Sequence, residues 1–296
     1  MSQSLRYDRQ NQIKKWEQKR LLISKVSVIG AGALGNYVCA GLIGLGIGNI
    51  EIYDFDEIEI HNLNRQSMFT EEDIGFNKAE ILTKRLQERN SEINIQGYSE
   101  KITEKNIATL LNDTDLIIDA VDNIETRAVL SRFSLIKNIP LVHGATSADG
   151  GQIAVITRET PCLECFMNTN RKNSSQSCTD NPNPSVVYTT QVISGLMVEN
   201  TRIILLPLNK LEKPTPPLLY YDLLSPNRFY HVNIQRKKDC ICNEILKNAK
   251  LEKPTLEKIK VDLDNRVINT VEKIDTNKNN ISNKKRTRKF TLSDFI

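Results

Sequence analysis

A short β-branched run, Val26 to Ile29, leads straight into Gly30-Ala31-Gly32-Ala33-Leu34-Gly35 and then into a helix-prone segment ending near Leu45. This strand–turn–helix order constrains the chain more than any other feature. Gly30, Gly32 and Gly35 permit a tight turn and close backbone approach, and the start of the next helix favours an anion such as phosphate. Asp54 stands nineteen residues after Gly35, near the end of a second strand, Asn49 to Phe55. A carboxylate there accepts hydrogen bonds from both hydroxyls of a ribose. The pairing points to a nucleotide, with a ligand-free glycine turn as the alternative.

The alternation continues along the chain. A helix is expected from about Lys78 to Glu88, strands at Ile93 to Tyr98 and Leu116 to Ala120, and further helix and strand through His143. Strands and amphipathic helices in this order build a doubly wound, mainly parallel, Rossmann-like α/β sheet. The pattern changes from Gln152. A strand to Thr157, a helix from Val186 to Leu206, and two closing strands, Leu218 to Leu224 and Arg228 to Gln235, predict an antiparallel C-terminal part. Asn168 to Pro184 is polar and aperiodic, a loop length that in a compact domain is usually functional or mobile. Core signals fade after Leu246. The chain is therefore expected to divide into a domain of residues 1–246 and a basic polar tail of residues 247–296, partly disordered where Thr276 to Lys289 is rich in Asn, Lys and Arg.

Charge is unevenly placed. Residues 247–296 hold thirteen Lys/Arg against seven Asp/Glu, while the whole chain carries a formal +4. The remainder is slightly acidic, which argues against a nucleic-acid-binding core and leaves RNA contact by the tail as an open alternative. No apolar run reaches the roughly 20 residues that span a bilayer, and no signal-peptide pattern opens the chain. A cytoplasmic location without membrane contact is expected. Six cysteines in that setting speak for metal or catalysis rather than disulfides.

His61-Asn62-Leu63-Asn64-Arg65-Gln66, then Lys78, place cations just past the ribose acid. Hydride transfer has no use for them. Adenylation does, because negative charge builds on the triphosphate as pyrophosphate leaves. Asp122, beyond the Leu116–Ala120 strand, lies where open α/β sheets bind ligands. It suits Mg²⁺, which takes oxygen ligands; the alternative is an N-cap for a helix starting at Asn123.

Taken together, these segments resemble the ThiF/MoeB/HesA family, prokaryotic relatives of ubiquitin-activating enzymes. The matching segments are Arg6-Tyr7-Asp8-Arg9-Gln10, the glycine turn, Asp54-Phe55-Asp56, Asn62-Leu63-Asn64-Arg65-Gln66, Lys78, and Asp119-Ala120-Val121-Asp122-Asn123. They span about Arg6 to Asn243. The resemblance implies a homodimer that uses ATP and Mg²⁺ to adenylate the terminal glycine of a ubiquitin-like or sulfur-carrier protein ending in Gly-Gly, releasing pyrophosphate. It implies that Asp54 binds the ribose, that Asn62, Arg65 and Lys78 contact phosphates, and that Asp122 binds Mg²⁺. Gly30, Gly32, Gly35, Gln66 and Asn123 would complete the nucleotide site, and Arg9 would reach the phosphates of the opposite subunit.

Cys162-x-x-Cys165 with Cys240-x-Cys242 looks like a four-thiolate Zn²⁺ site stapling the crossover to the C-terminal strands. The family usually carries C-x-x-C in both halves, so the second spacer here is one residue short. Cys178, in the polar loop, matches more loosely a position from which a cysteine of this family attacks the acyl-adenylate or carries sulfur. Cys39 reads as core, His61 and His143 as packing or polar caps, and His231 as structural. Three other functions stay open: a tRNA-modifying dehydratase with the same nucleotide site, a non-catalytic zinc-bound scaffold, and an NAD-dependent oxidoreductase. The joint presence of Arg9, Arg65, Lys78 and Asp122 speaks against the scaffold.

Overall fold

The structure, a computed structural model, describes residues 3–167, 184–209, 211–215, 218–249 and 254–268. Three short helices, α1 (Gln3–Arg6), α2 (Asp8–Asn11) and α3 (Gln18–Leu22), precede β1 (Lys25–Ile29), α4 (Ala33–Leu45) and β2 (Asn49–Tyr53). Next come α5 (Lys78–Arg89), β3 (Asn94–Tyr98), α6 (Ile107–Leu110), β4 (Leu116–Asp119), α7 (Ile124–Lys137), β5 (Leu141–Thr146) and β6 (Gly150–Ile156). The C-terminal part holds α8 (Val187–Leu205), β7 (Leu218–Asp222), β8 (Phe229–Val232), α9 (Ile241–Asn248) and α10, residues 255–268.

One eight-stranded sheet runs through the domain in the order β3-β2-β1-β4-β5-β6-β7-β8. Strands β3 to β5 are mutually parallel, and β6, β7 and β8 add on antiparallel. The predicted doubly wound sheet with an antiparallel C-terminal part is therefore the observed fold. Strand side chains alternate between faces. Val26, Val28, Ile50, Ile52, Leu116 and Ile118 join α4, α5 and α8 in one core, and Ile29, Tyr53 and Ile117 join α7 and the cysteine segment in the other. Central strands covered on both sides are mostly apolar, which is why β1 and β4 read as short hydrophobic runs, interrupted at Ser27 and ended by Asp119.

Beyond the expected boundary at residue 246, α10 packs back on the domain. Ile259 and Leu263, four residues apart on one face, lie buried in the core that α4 and α8 share. Arg20, itself buried, pairs with Asp264 and donates to the Lys260 carbonyl, and Arg266 pairs with Asp115. Thr255 Oγ1 donates to Asn138 Oδ1 at 2.5 Å. Three or four apolar positions suffice for a helix laid on an existing surface, although they are too few to announce one in the sequence. His231 stands exposed on β8, the sheet edge. Among the described residues no helix is long and apolar enough to cross a membrane.

Candidate nucleotide site and cysteine cluster

The chain leaves β1 toward β2 on one side and returns through β4 on the other. This reversal opens a crevice at the carboxyl ends of β1 and β4, the place where open α/β sheets hold ligands. The glycine turn forms one wall. Gly30 has φ +98°, and a Cβ there would meet the Ala120 carbonyl oxygen at 2.6 Å; a Cβ on Gly35 would strike the Gly30 carbonyl oxygen at 1.9 Å. These two glycines let β1, β4 and α4 close on one another. Gly32 differs: the nearest atom to a Cβ there is Gln66 Nε2 at 3.9 Å. The α4 N-terminus has Gly32 as its N-cap, which offers no side chain.

Asp54 fastens the turn. Its Oδ2 accepts the Ala31 N–H at 2.6 Å and its Oδ1 accepts the Asp56 N–H at 2.8 Å. Burial pushes its carboxyl above the usual range, opposed by Lys78 and by those two backbone donors. Lys78, at the first position of α5, is buried and pairs with the exposed Asp56 at 3.0 Å. Gln66 is buried, and its Oε1 has no hydrogen-bond partner among the described residues. A buried amide oxygen left without a donor is costly, so this atom marks a place for a donor from outside the protein. Asn62 is also buried, but its oxygen accepts the Glu59 N–H at 3.0 Å, closing a short 3₁₀ turn. Arg65 lies nearby, half-buried, its guanidinium on the His61 carbonyl at 2.7 Å and Asn64 Oδ1 at 2.9 Å.

On the β4 side Asp122 is exposed at the crevice. Asn123 caps α7 instead, its oxygen accepting the Thr126 N–H at 2.9 Å, so the alternative capping role of Asp122 is taken by its neighbour. Arg127, missed in the sequence because it lies one turn inside α7, bends back to donate to the Val121 carbonyl at 2.6 Å. The other side of Val121 is held by Asp119, which accepts its N–H at 3.2 Å.

On the face of the sheet that α7 covers, the four sulfurs of Cys162, Cys165, Cys240 and Cys242 lie within 4.8 Å of one another. Cys162 is 3.7 Å from Cys165 and 3.4 Å from Cys240, and Cys165 is 3.7 Å from Cys242. Tetrahedral Zn–S bonds of about 2.3 Å put sulfurs about 3.8 Å apart, so the spacing fits zinc. The short second spacer is accommodated because Cys240 is the extended N-cap of α9 and the helical turn starts at Ile241. Burial, then the hydrogen bond to Cys240, pushes the Cys162 thiol up; burial and its cysteine neighbours push Cys242 up to about 12. A Zn²⁺ ion bound here would displace the thiol protons, because only the thiolate ligates metal.

The ThiF family model matches residues 7–243. The chain belongs to the ThiF family. A sulfur carrier protein adenylyltransferase of Thermus thermophilus is 32% identical over 235 residues, covering 77% of this chain and 85% of its own length. A SAMP-activating enzyme E1 of Haloferax volcanii is 30% identical over 236 residues, covering 77% and 83%. By these relatives this ThiF-family chain is an adenylyltransferase. The crystal structure of Escherichia coli MccB shares the fold, with a TM-score of 0.68 at 22% identity over 81% of this chain and 72% of that one.

One candidate residue of this ThiF-family chain, Arg9, stands apart from the crevice. Tyr7, two residues before Arg9, packs against Gly46 at the far end of α4, about 20 Å from the glycine turn by the rise of a 13-residue helix. Arg9 itself is exposed there. Cys178 lies outside the described residues.

Proposed function

We propose that the chain adenylates the C-terminal glycine of a ubiquitin-like or sulfur-carrier protein ending in Gly-Gly. The observation that carries this reading is the crevice itself: an α4 N-terminus bare of any capping side chain at Gly32, a buried Gln66 oxygen lacking a donor, and Asp54 and Lys78 beside it. Asp54 would accept the ribose hydroxyls, while the α4 N-terminus, Asn62, Arg65 and Lys78 would bind phosphates. Gly30, Gly35 and Asn123 shape the walls. The carrier carboxylate attacks the α-phosphorus, the bond to the bridging oxygen breaks, and pyrophosphate departs with the electron pair. Catalysis rests on positioning and on cations placed where negative charge grows. Asp122 would hold Mg²⁺, which supplies charge neutralisation on the phosphates.

The remoteness of Arg9 from its own crevice supports its use in trans, by the partner of a homodimer. Zn²⁺ in the cysteine cluster would be structural, since four thiolates close its coordination shell. Five free cysteines among the described residues suit a cytoplasmic protein. The step proposed next is attack of the Cys178 thiolate on the adenylate carbonyl, forming a thioester as AMP leaves. Intact-mass spectrometry of a Gly-Gly carrier incubated with the enzyme, ATP and Mg²⁺ tests the first step. The carrier should gain one adenylyl group, and a carrier lacking its last glycine should gain none; equal labelling of both would count against the proposal.

A further inference from the structure

We infer that His143 is a positioning residue for the loop that presents Asp122, acting through Asp119. What that loop serves rests on the adenylation reading; the arrangement of side chains does not. His143 and Asp119 are both fully buried on neighbouring strands. His143 Nδ1 lies 2.7 Å from Asp119 Oδ2, and His143 Nε2 lies 3.2 Å from Gln152 Nε2. One placement of protons satisfies both contacts: Nδ1–H donates to Asp119, and Nε2 accepts from the Gln152 amide.

The other oxygen of Asp119 accepts the Val121 N–H, and Arg127 holds the Val121 carbonyl. Val121 is thus gripped on both sides by side chains, and Asp122 follows it in the chain. An ordinary turn at a strand end needs only the Asp119–Val121 contact. It does not need a buried histidine behind the carboxylate, where an apolar side chain would pack at lower cost if Asp119 were absent. With Asp119 present, that histidine supplies the donor without which a fully buried carboxylate would be left partly unsatisfied. Loss of Nδ1–H would set Asp119 free to seek another donor and loosen its hold on Val121. Gln152, at the other end, lines an open cavity of about 330 Å³ with Gly151, Tyr220 and Tyr230. A hydrogen-bonded line therefore runs from that cavity to the Asp122 loop.

The test uses full-length wild type, His143→Asn, whose amide nitrogen takes the place of Nδ1–H, and two apolar variants, His143→Leu and His143→Met, so that either can serve if one fails to fold. Amide hydrogen exchange is followed in the peptide spanning residues 117–124, and Mg·ATP affinity by calorimetry. The apolar variants should exchange faster in that peptide alone and bind Mg·ATP about 10- to 100-fold more weakly, the range seen when a supporting residue behind a metal site is removed. His143→Asn should recover both. Unchanged exchange in folded apolar variants, or a defect that Asn does not repair, would overturn the inference. If exchange responds as expected but wild type binds no Mg·ATP, positioning stands and the adenylation reading falls; if all variants bind Mg·ATP alike, the reverse holds.

Discussion

Arg132 on α7 meets Glu164, the residue just before Cys165, through two parallel hydrogen bonds, Nε to Oε2 at 2.8 Å and Nη2 to Oε1 at 2.7 Å. Ser131, beside it, accepts the Leu163 N–H at 3.1 Å. The helix that starts next to Asp122 is therefore fastened, two turns on, to the first half of the cysteine cluster. Glu164→Gln should keep the metal but weaken this clasp by about 1 kcal/mol, a bidentate pair discounted because Arg132 is one-third exposed. Thermal unfolding should show a fall of about 2–4 °C in a domain of this size.

The cluster itself makes a second prediction. Purified protein should contain about one zinc per chain by elemental analysis, and Cys240→Ser or Cys242→Ser should each lose most of it. Because zinc binding free energy is folding free energy, on the order of 10 kcal/mol in small sites, a chelator should lower the unfolding temperature far more than Glu164→Gln does. A chain free of zinc with undiminished stability would contradict this.

Truncation separates α10 from the residues after it. Deletion of residues 269–296 should leave stability unchanged within about 0.5 kcal/mol. Deletion from residue 247 exposes the surfaces under Ile259 and Leu263 and leaves buried Arg20 without Asp264. Two buried aliphatic side chains contribute about 3–6 kcal/mol, so urea unfolding should shift to clearly lower denaturant for the longer deletion only.

Burial holds the His143 imidazole below its usual range, although Asp119 pulls the other way, and Arg127 on α7 adds to the lowering. An unfolded histidine titrates near pH 6.5. The folded state therefore prefers the neutral ring, and its contribution is fully present above about pH 6.5 and is lost as pH falls through that value toward the folded pKa. Urea midpoints measured from pH 7.5 down to 5.5 should decline, by up to about 1.4 kcal/mol per pH unit from this group, and His143→Asn should flatten the decline.

Much of this was legible in the sequence because a few residue types have few uses. The glycine turn bends where the sequence predicts, since φ +98° at Gly30 and the contact of Gly35 with Gly30 tolerate nothing larger, and Asp54 stands beside it. The four cysteines announced their own meeting. What stayed hidden depends on distances the linear order does not carry. Arg127 looks like any helix arginine until α7 folds it onto Val121. His143 and Asp119, 24 residues apart, become partners only through the register that sets them side by side on β4 and β5. Asn123 rather than Asp122 caps α7, a difference of one residue that propensity alone does not resolve. The helix α10 escaped notice because its few apolar residues are set among many charges.

Carrier-dependent exchange of pyrophosphate into ATP tests the central claim most directly. Wild type with Mg²⁺ and a carrier ending in Gly-Gly should exchange label, with the rate lost in Asp122→Ala, strongly reduced in Lys78→Met, and retained in Cys178→Ala. No exchange by wild type with any Gly-Gly carrier would contradict the account and turn the same crevice over to another acceptor, with tRNA the first to try.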